Sequence, residues 1–417
     1  MQTEESRPAH SATTTTRRKV HPLLGLSISL GILALGLEIV FRVAPWAIPT
    51  KSLVHFEPAL RARLAAGRFP TRANTVLFHR DDGGKAIRIL KPFAVKPYVA
   101  DLAGSVREVA ADEIGFGNPP GLYDSRAAFD LVAIGDSFTW PCAIAPAEAW
   151  PSRLGAALGR TSYNLGIGGT GPYEYLQILK RFGLPKSPRA VILSVYEGND
   201  LLNLADHVAY RSGTKHDDAS DADAGKTSIL WRRSYGWNFL AGSFRYLRGN
   251  ARDNRLKGRV DYRFQVGAVP FNSGQAGRDE IVIARQAVAG EVAYALFDEP
   301  VREFKRLAGE RGFVPVLAYV PAAATAYAPA TFRDPAVGEV LARFSAAQRE
   351  HLRELARALE LRFVDLTPVL QAVAAQQPAA ADNLLYFPGN IHLTPRGHAE
   401  VARALAAALA DVFPAGT

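Results

Sequence analysis

The chain has 417 residues, 48% of them hydrophobic and 21% charged, enough to bury one large domain or two ordinary ones and too apolar for a disordered protein. Its formal charge of +9 is spread along the chain, which speaks against nucleic-acid binding. A single cysteine, Cys142, excludes an intramolecular disulfide and any multi-cysteine metal site.

The first predicted element is an apolar run from Pro22 to Leu37, continuing through Glu38 and Arg42 to Ala44. About twenty such residues cross a bilayer as a helix. Glu38 and Arg42 stand one helical turn apart, where they can pair, and Trp46 suits a membrane interface. The cluster Arg17-Arg18-Lys19 holds the tail, residues 1–21, in the cytoplasm and sends the rest of the chain outward. A cleaved signal peptide is the rival reading, but no small-x-small site follows, and Arg42 and Pro45 stand in poor places for one. Residues 22–44 are therefore read as a single-pass anchor in a bacterial inner membrane, with the remainder periplasmic. Residues 45–126 read as a linker and small β-rich segment.

From Phe129 onward, apolar runs alternate with helical stretches. Strands are predicted at Phe129 to Ile134, Tyr163 to Ile167, Ala190 to Tyr196, Phe313 to Val320 and Leu361 to Leu366. Helices are predicted at Trp150 to Leu158, Tyr173 to Phe182, Glu291 to Glu310, Val337 to Leu359 and Pro395 to about Val412, the last capped by Thr394. Repeated βα units of this kind imply an α/β domain, placed at 127–414, with a mostly parallel sheet between helical layers. Such sheets bind ligands beyond the carboxyl ends of their strands.

Four blocks stand at those ends or near the C-terminus. The first strand runs into Gly135-Asp136-Ser137, the second into Asn164-Leu-Gly-Ile-Gly-Gly169, the third into Gly198-Asn199-Asp200, and Tyr386 to His398 reads YFPGNIHLTPRGH. Taken alone, Gly-Asp-Ser is a common turn. Taken together and in order, the blocks resemble those of the SGNH (GDSL) hydrolase family. The resemblance covers roughly Phe129 to Val412 and implies a three-layer αβα, flavodoxin-like SGNH fold. It also implies a serine nucleophile at Ser137, a general base at His392, and an oxyanion hole from the Ser137 and Gly169 N–H groups and the Asn199 amide. No cofactor or metal is implied. Acyl transfer needs these residue types because preorganised donors stabilise the tetrahedral oxyanion and a neutral imidazole takes the serine proton.

One position departs from the family, whose members carry an Asp two or three residues before the histidine. Here those positions are Gly389 and Asn390. Asn390 can orient the imidazole through its side-chain oxygen but cannot neutralise an imidazolium. A dyad, a backbone carbonyl or Asp382 are the other ways of replacing the acid.

A second motif, Gly166-x-Gly168-x-x-Gly171, formally matches a dinucleotide fingerprint. It leaves the Gly-Asp-Ser and histidine blocks unexplained. An insertion is expected at about 201–290. It holds the polar stretch 216–226 and then Arg232, Arg233, Arg245, Arg248, Arg252, Arg255, Lys257, Arg259 and Arg263, interleaved with Trp231, Tyr235, Trp237, Phe239, Phe244 and Tyr246. It reads either as a lid or carbohydrate platform, or as a helical insertion with solvated arginines and membrane-surface contact.

The resemblance implies a serine esterase acting on acyl, chiefly O-acetyl, esters of cell-envelope carbohydrate, in contact with envelope polysaccharide machinery. A polysaccharide O-acyltransferase would use the same site. A non-catalytic polysaccharide-binding or assembly protein on a degenerate fold is the third reading.

Overall fold

The structure, a computed structural model, describes residues 22–48, 56, 60, 75–78, 87–99, 106–212, 233–244, 247, 262–272, 275–376, 380 and 382–414. The Arg17–Lys19 cluster, the stretch 216–226 and most of the arginine-rich run lie outside the described residues.

Helix α1 (Pro22–Val43) is apolar on every face and almost wholly exposed; its length and composition suit a membrane span or a signal sequence. Two antiparallel pairs follow, β1 (Thr75–Phe78) with β2 (Ile87–Leu90) and β3 (Val95–Val99) with β4 (Val106–Ala110).

Then comes the central sheet, formed by β5 (Leu131–Ile134), β6 (Ser162–Asn164), β7 (Ala190–Tyr196), β10 (Val314–Val320) and β12 (Arg362–Asp365). Every pairing in it is parallel, with Leu131 opposite both Ser162 and Ala190. All five predicted strands are present. β5 and β7 are buried at every residue, as befits strands covered on both faces. The spatial order is β6-β5-β7-β10-β12, so the second strand of the sheet flanks the first and the third follows on its other side. The strand order therefore reverses between β5 and β7, where open α/β sheets place their ligands.

The longer helices are α2 (Trp150–Leu158), α3 (Pro172–Ile178), α4 (Asp200–Arg211), α5 (235–244), α6 (Gln275–Val288), α7 (Asp298–Arg311), α8 (Pro335–Ala358), α9 (Thr367–Gln376) and α10 (Pro395–Ala408). Helix α10 packs on α2 and α9, while α3 packs on α4 and α7, and α6 on α4 and α8, giving the two layers that sandwich the sheet. Thr394 caps α10 as expected, its Oγ1 accepting from Gly397 N at 3.2 Å.

Two expectations shift. The helix predicted from Glu291 begins at Asp298, because Gly290 (φ +78°) ends α6 and a 3-10 turn at Tyr294–Phe297 intervenes. Pro300 then falls in the first turn of α7, where its missing N–H costs nothing. The region 201–290 is also more regular than the sequence suggested. Besides α4, α5 and α6 it contains the hairpin β8 (Arg263–Val266) and β9 (Val269–Asn272), joined by β11 (Thr331–Phe332) into an antiparallel sheet. Ile281, Ile283 and Ala284 of α6 belong to the main core. A separate apolar cluster joins Phe41 of α1 to Ile48, Phe56, Leu60 and Tyr235.

Candidate active site

The first block is a turn that requires its glycine. A Cβ on Gly135 would lie 2.1 Å from Thr139 Oγ1, so the chain must leave β5 through glycine. Asp136 is fully buried and closes the turn, its Oδ1 accepting from Phe138 N at 2.8 Å and its carbonyl from Trp140 N at 3.0 Å. Burial raises its pKa to about 7, despite the opposing hydrogen bonds from Phe138 and Ser137. Ser137 is half-buried at the carboxyl edge of the sheet.

The second block lies against the first. Asn164 N bonds Asn118 Oδ1 at 2.8 Å, its Nδ2 donates to Thr139 O at 2.7 Å, and its Oδ1 accepts from Gly166 N at 2.8 Å. Beneath it, buried Asp112 accepts from three backbone N–H groups, from Asn118 and from the Tyr163 hydroxyl, a full set of partners for an otherwise costly carboxylate. A Cβ at Gly168 would stand 3.3 Å from Ser137 Cβ. Gly169 is exposed with φ +77°, a backbone conformation that favours glycine.

The third block turns on Asp200. Its Oδ2 accepts from Tyr196 N at 3.0 Å and its Oδ1 from the Tyr175 hydroxyl at 2.6 Å, folding the chain back on the end of β7. Asn199 is half-buried at the head of α4 and its side chain makes no capping bond to that helix. Asn203, one turn further on, donates to Thr170 O at 2.7 Å and so ties the second and third blocks together.

In the last block, Phe387 N donates to His392 O at 2.8 Å and Ile391 N to Phe387 O at 2.8 Å, closing a tight loop. The His392 ring lies 5.0 Å from that of Phe138, which in turn stacks on Tyr196 at 3.5 Å. The neighbour of Ser137, the end of β7 and the histidine thus form one aromatic cluster, with the imidazole tilted by 32° to the Phe138 ring, a contact that no motif spacing reveals. Burial and then the charge of Lys96 depress the pKa of His392 to about 4, so the imidazole is neutral at pH 7. Lys96 comes from β3, which sequence reasoning left outside the site.

Asn390 orients something other than expected. Its Oδ1 accepts from the backbone N–H of His392 at 3.0 Å, and the ring Nδ1 is buried with no hydrogen-bond partner. Asp382 is exposed and does not supply that partner. His398 is structural: it is buried on α10, its Nδ1 accepting from Trp150 N at 3.1 Å. Among the described residues no cluster of His, Cys, Asp or Glu is placed to hold a metal ion. The glycine motif 166–171 follows β6, an edge strand, rather than a strand flanking the reversal point, as a dinucleotide fingerprint would.

The reversed strand order decides the architecture. The fold is a doubly wound α/β sandwich of flavodoxin-like strand order. No family model matches the chain, and no curated protein matches it. Solved structures similar to this chain include a protein from Desulfitobacterium hafniense described as lipolytic and of the G-D-S-L family, at 16% identity and TM-score 0.35, covering 67% of this chain and 98% of that one. A variant of an acetyl-xylooligosaccharide esterase from Geobacillus Stearmophilus is similar at 11% identity and TM-score 0.34, covering 68% and 95%. A lipase/acylhydrolase from Enterococcus faecalis is similar at 14% identity and TM-score 0.33, covering 69% and 98%.

Proposed function

We propose that the protein is a serine ester hydrolase held at a bacterial inner membrane by α1, with its SGNH-type domain outside the cytoplasm. Ser137 attacks the acyl carbonyl as His392 Nε2 accepts its proton. The N–H groups of Ser137 and Gly169 and the Asn199 amide stabilise the oxyanion, each such donor contributing about 2.7 to 4 kcal/mol. The histidine returns the proton to the departing alcohol, and water then releases the acyl group by the same two steps in reverse. The substrate class is acyl, chiefly O-acetyl, esters of envelope carbohydrate.

The observation that carries this reading is the contact of the tilted His392 ring with Phe138, the residue after Ser137, with the imidazole held neutral and hence able to accept a proton. The partnerless Nδ1 favours a second reading, a polysaccharide-binding protein on a degenerate site. A fluorophosphonate probe separates the two: it should label the wild type and fail on Ser137→Ala and His392→Ala. A wild type that resists the probe and hydrolyses no short acyl nitrophenyl ester would select the binding reading. Offering acetylated and unacetylated polysaccharide in the same assay distinguishes hydrolysis from transfer to a sugar hydroxyl.

A further inference from the structure

Helix α5 is apolar on two opposite faces. One face carries Tyr235, Asn238, Phe239 and Gly242 and is turned inward. On it, Tyr235 and Phe239 join the cluster built on Phe41 of α1, and the rings of Phe41 and Phe239 lie 4.9 Å apart. The other face presents Trp237, Leu240, Phe244 and, one turn on, Leu247. At helical spacing these fall on one stripe, and Phe244 and Leu247 are 66% and 65% exposed. Soluble helices keep polar residues on the outward face; this one does not.

The two helices are clasped. Glu38 of α1 accepts at Oε1 from Arg42 Nε at 2.6 Å and at Oε2 from Ser234 Oγ at 2.7 Å and Gly236 N at 2.8 Å. Arg42 reaches the Arg233 carbonyl at 3.3 Å, and its guanidinium lies 5.2 Å from the Tyr235 ring centroid. A Cβ on Gly236 would stand 2.8 Å from Ala34 O, so the close approach depends on glycine. The one carboxylate in the apolar helix is thus paired and fully hydrogen-bonded, the condition under which a charge is tolerated at membrane depth.

The geometry points to α5 as a second membrane element, lying in the outer headgroup–acyl boundary against α1 with lipid acyl chains covering Trp237, Leu240, Phe244 and Leu247. Lipid is the occupant because α5 packs on α1, whose own apolar residues from Leu24 to Val43 are exposed and suit a membrane span. In sequence, arginines bracket the helix at 232, 233, 245 and 248, complementary to anionic headgroups. The inference rests on α1 being a membrane anchor.

The test uses the full chain in vesicles of phosphatidylcholine and phosphatidylglycerol. Phe244→Cys, Leu240→Cys and, separately, Leu33→Cys are labelled with an environment-sensitive fluorophore. The unsubstituted chain is the control, since Cys142 is buried. Doxyl-labelled lipid should quench the labels at 244 and 240 as it does that at 33, while iodide in the water should not. Labels at 244 and 240 quenched by iodide, with that at 33 quenched by lipid, would overturn the inference and leave the anchor standing. Iodide quenching at all three would remove the anchor first. Labels at 244 and 240 shielded from both quenchers would mean that protein covers the stripe, which also overturns it.

Discussion

The imidazole of His392 packs against the ring of Phe138, centroid to centroid 5.0 Å, and Phe138 follows Ser137 directly in the chain. With no hydrogen bond to hold its Nδ1, the ring is positioned by this contact. Phe138→Leu should therefore fold and bind a short acyl nitrophenyl ester with little change in KM but with a lowered kcat. Phe138→Ala should also cost about 3–5 kcal/mol in denaturant unfolding, the range for emptying a buried aromatic site. An unchanged kcat in Phe138→Leu would show that the histidine is held by other means.

Asn390 separates two roles that a carboxylate could fill at once. Asn390→Asp keeps an acceptor for the His392 backbone N–H and adds a negative charge beside the loop. The pKa of His392 should rise by about one unit, equivalent to about 1.4 kcal/mol, and hydrolysis near pH 8 should increase. Asn390→Ala should lose the backbone bond, at about 0.5–1.5 kcal/mol of stability. Histidine titration by NMR and initial rates across pH check both.

Lys96 offers a pH test with a definite sign. Its charge opposes protonation of His392, whose pKa lies at about 4, and the base works only when neutral. Wild-type activity should hold down to about pH 5 and fall below it, since a base is lost as pH drops through its pKa. Lys96→Met removes part of the depression, so the acid limb should move upward toward the ordinary histidine range. A limb that stays in place would show that Lys96 does not act on the imidazole.

Glu280 is buried behind Gly198, and a Cβ on that glycine would lie 2.6 Å from its Oε1. Burial raises its pKa to about 7, against an ordinary value of 4.5, despite the Tyr196 and Tyr262 hydroxyls. Between those values the native chain keeps a proton that the unfolded chain gives up. Its contribution to stability is thus complete below the lower value and is lost as pH rises through the upper, by up to about 1.4 kcal/mol per unit. Glu280→Gln should flatten that slope and be the more stable form above pH 7. Denaturant midpoints from pH 4 to 8 in detergent are the measurement.

The sheet was legible because each strand is a short run such as Ala190-Val-Ile-Leu-Ser-Val-Tyr196, apolar throughout and bounded by turn residues. The blocks were legible because turn geometry demands Gly135, and a fixed order accompanies it. What stayed hidden depends on distance in sequence. The Phe138–His392 contact and the Lys96 field each join residues hundreds of positions apart. The hairpin β8–β9 was masked because Arg263, Gln265 and Asn272 made it read as polar chain; only Phe264 and Phe271, stacked at 4.8 Å, mark its buried side.

That hairpin has a consequence for trimming the protein. Asn272 N donates to Pro388 O at 2.9 Å, so the last residue of β9 braces the loop that presents His392. The insertion that carries this hairpin is therefore part of the support of the C-terminal loop. Excising it to obtain a minimal enzyme would remove a foundation of the histidine more than a hundred residues before the chain reaches it, and leave the backbone of Pro388 without its donor.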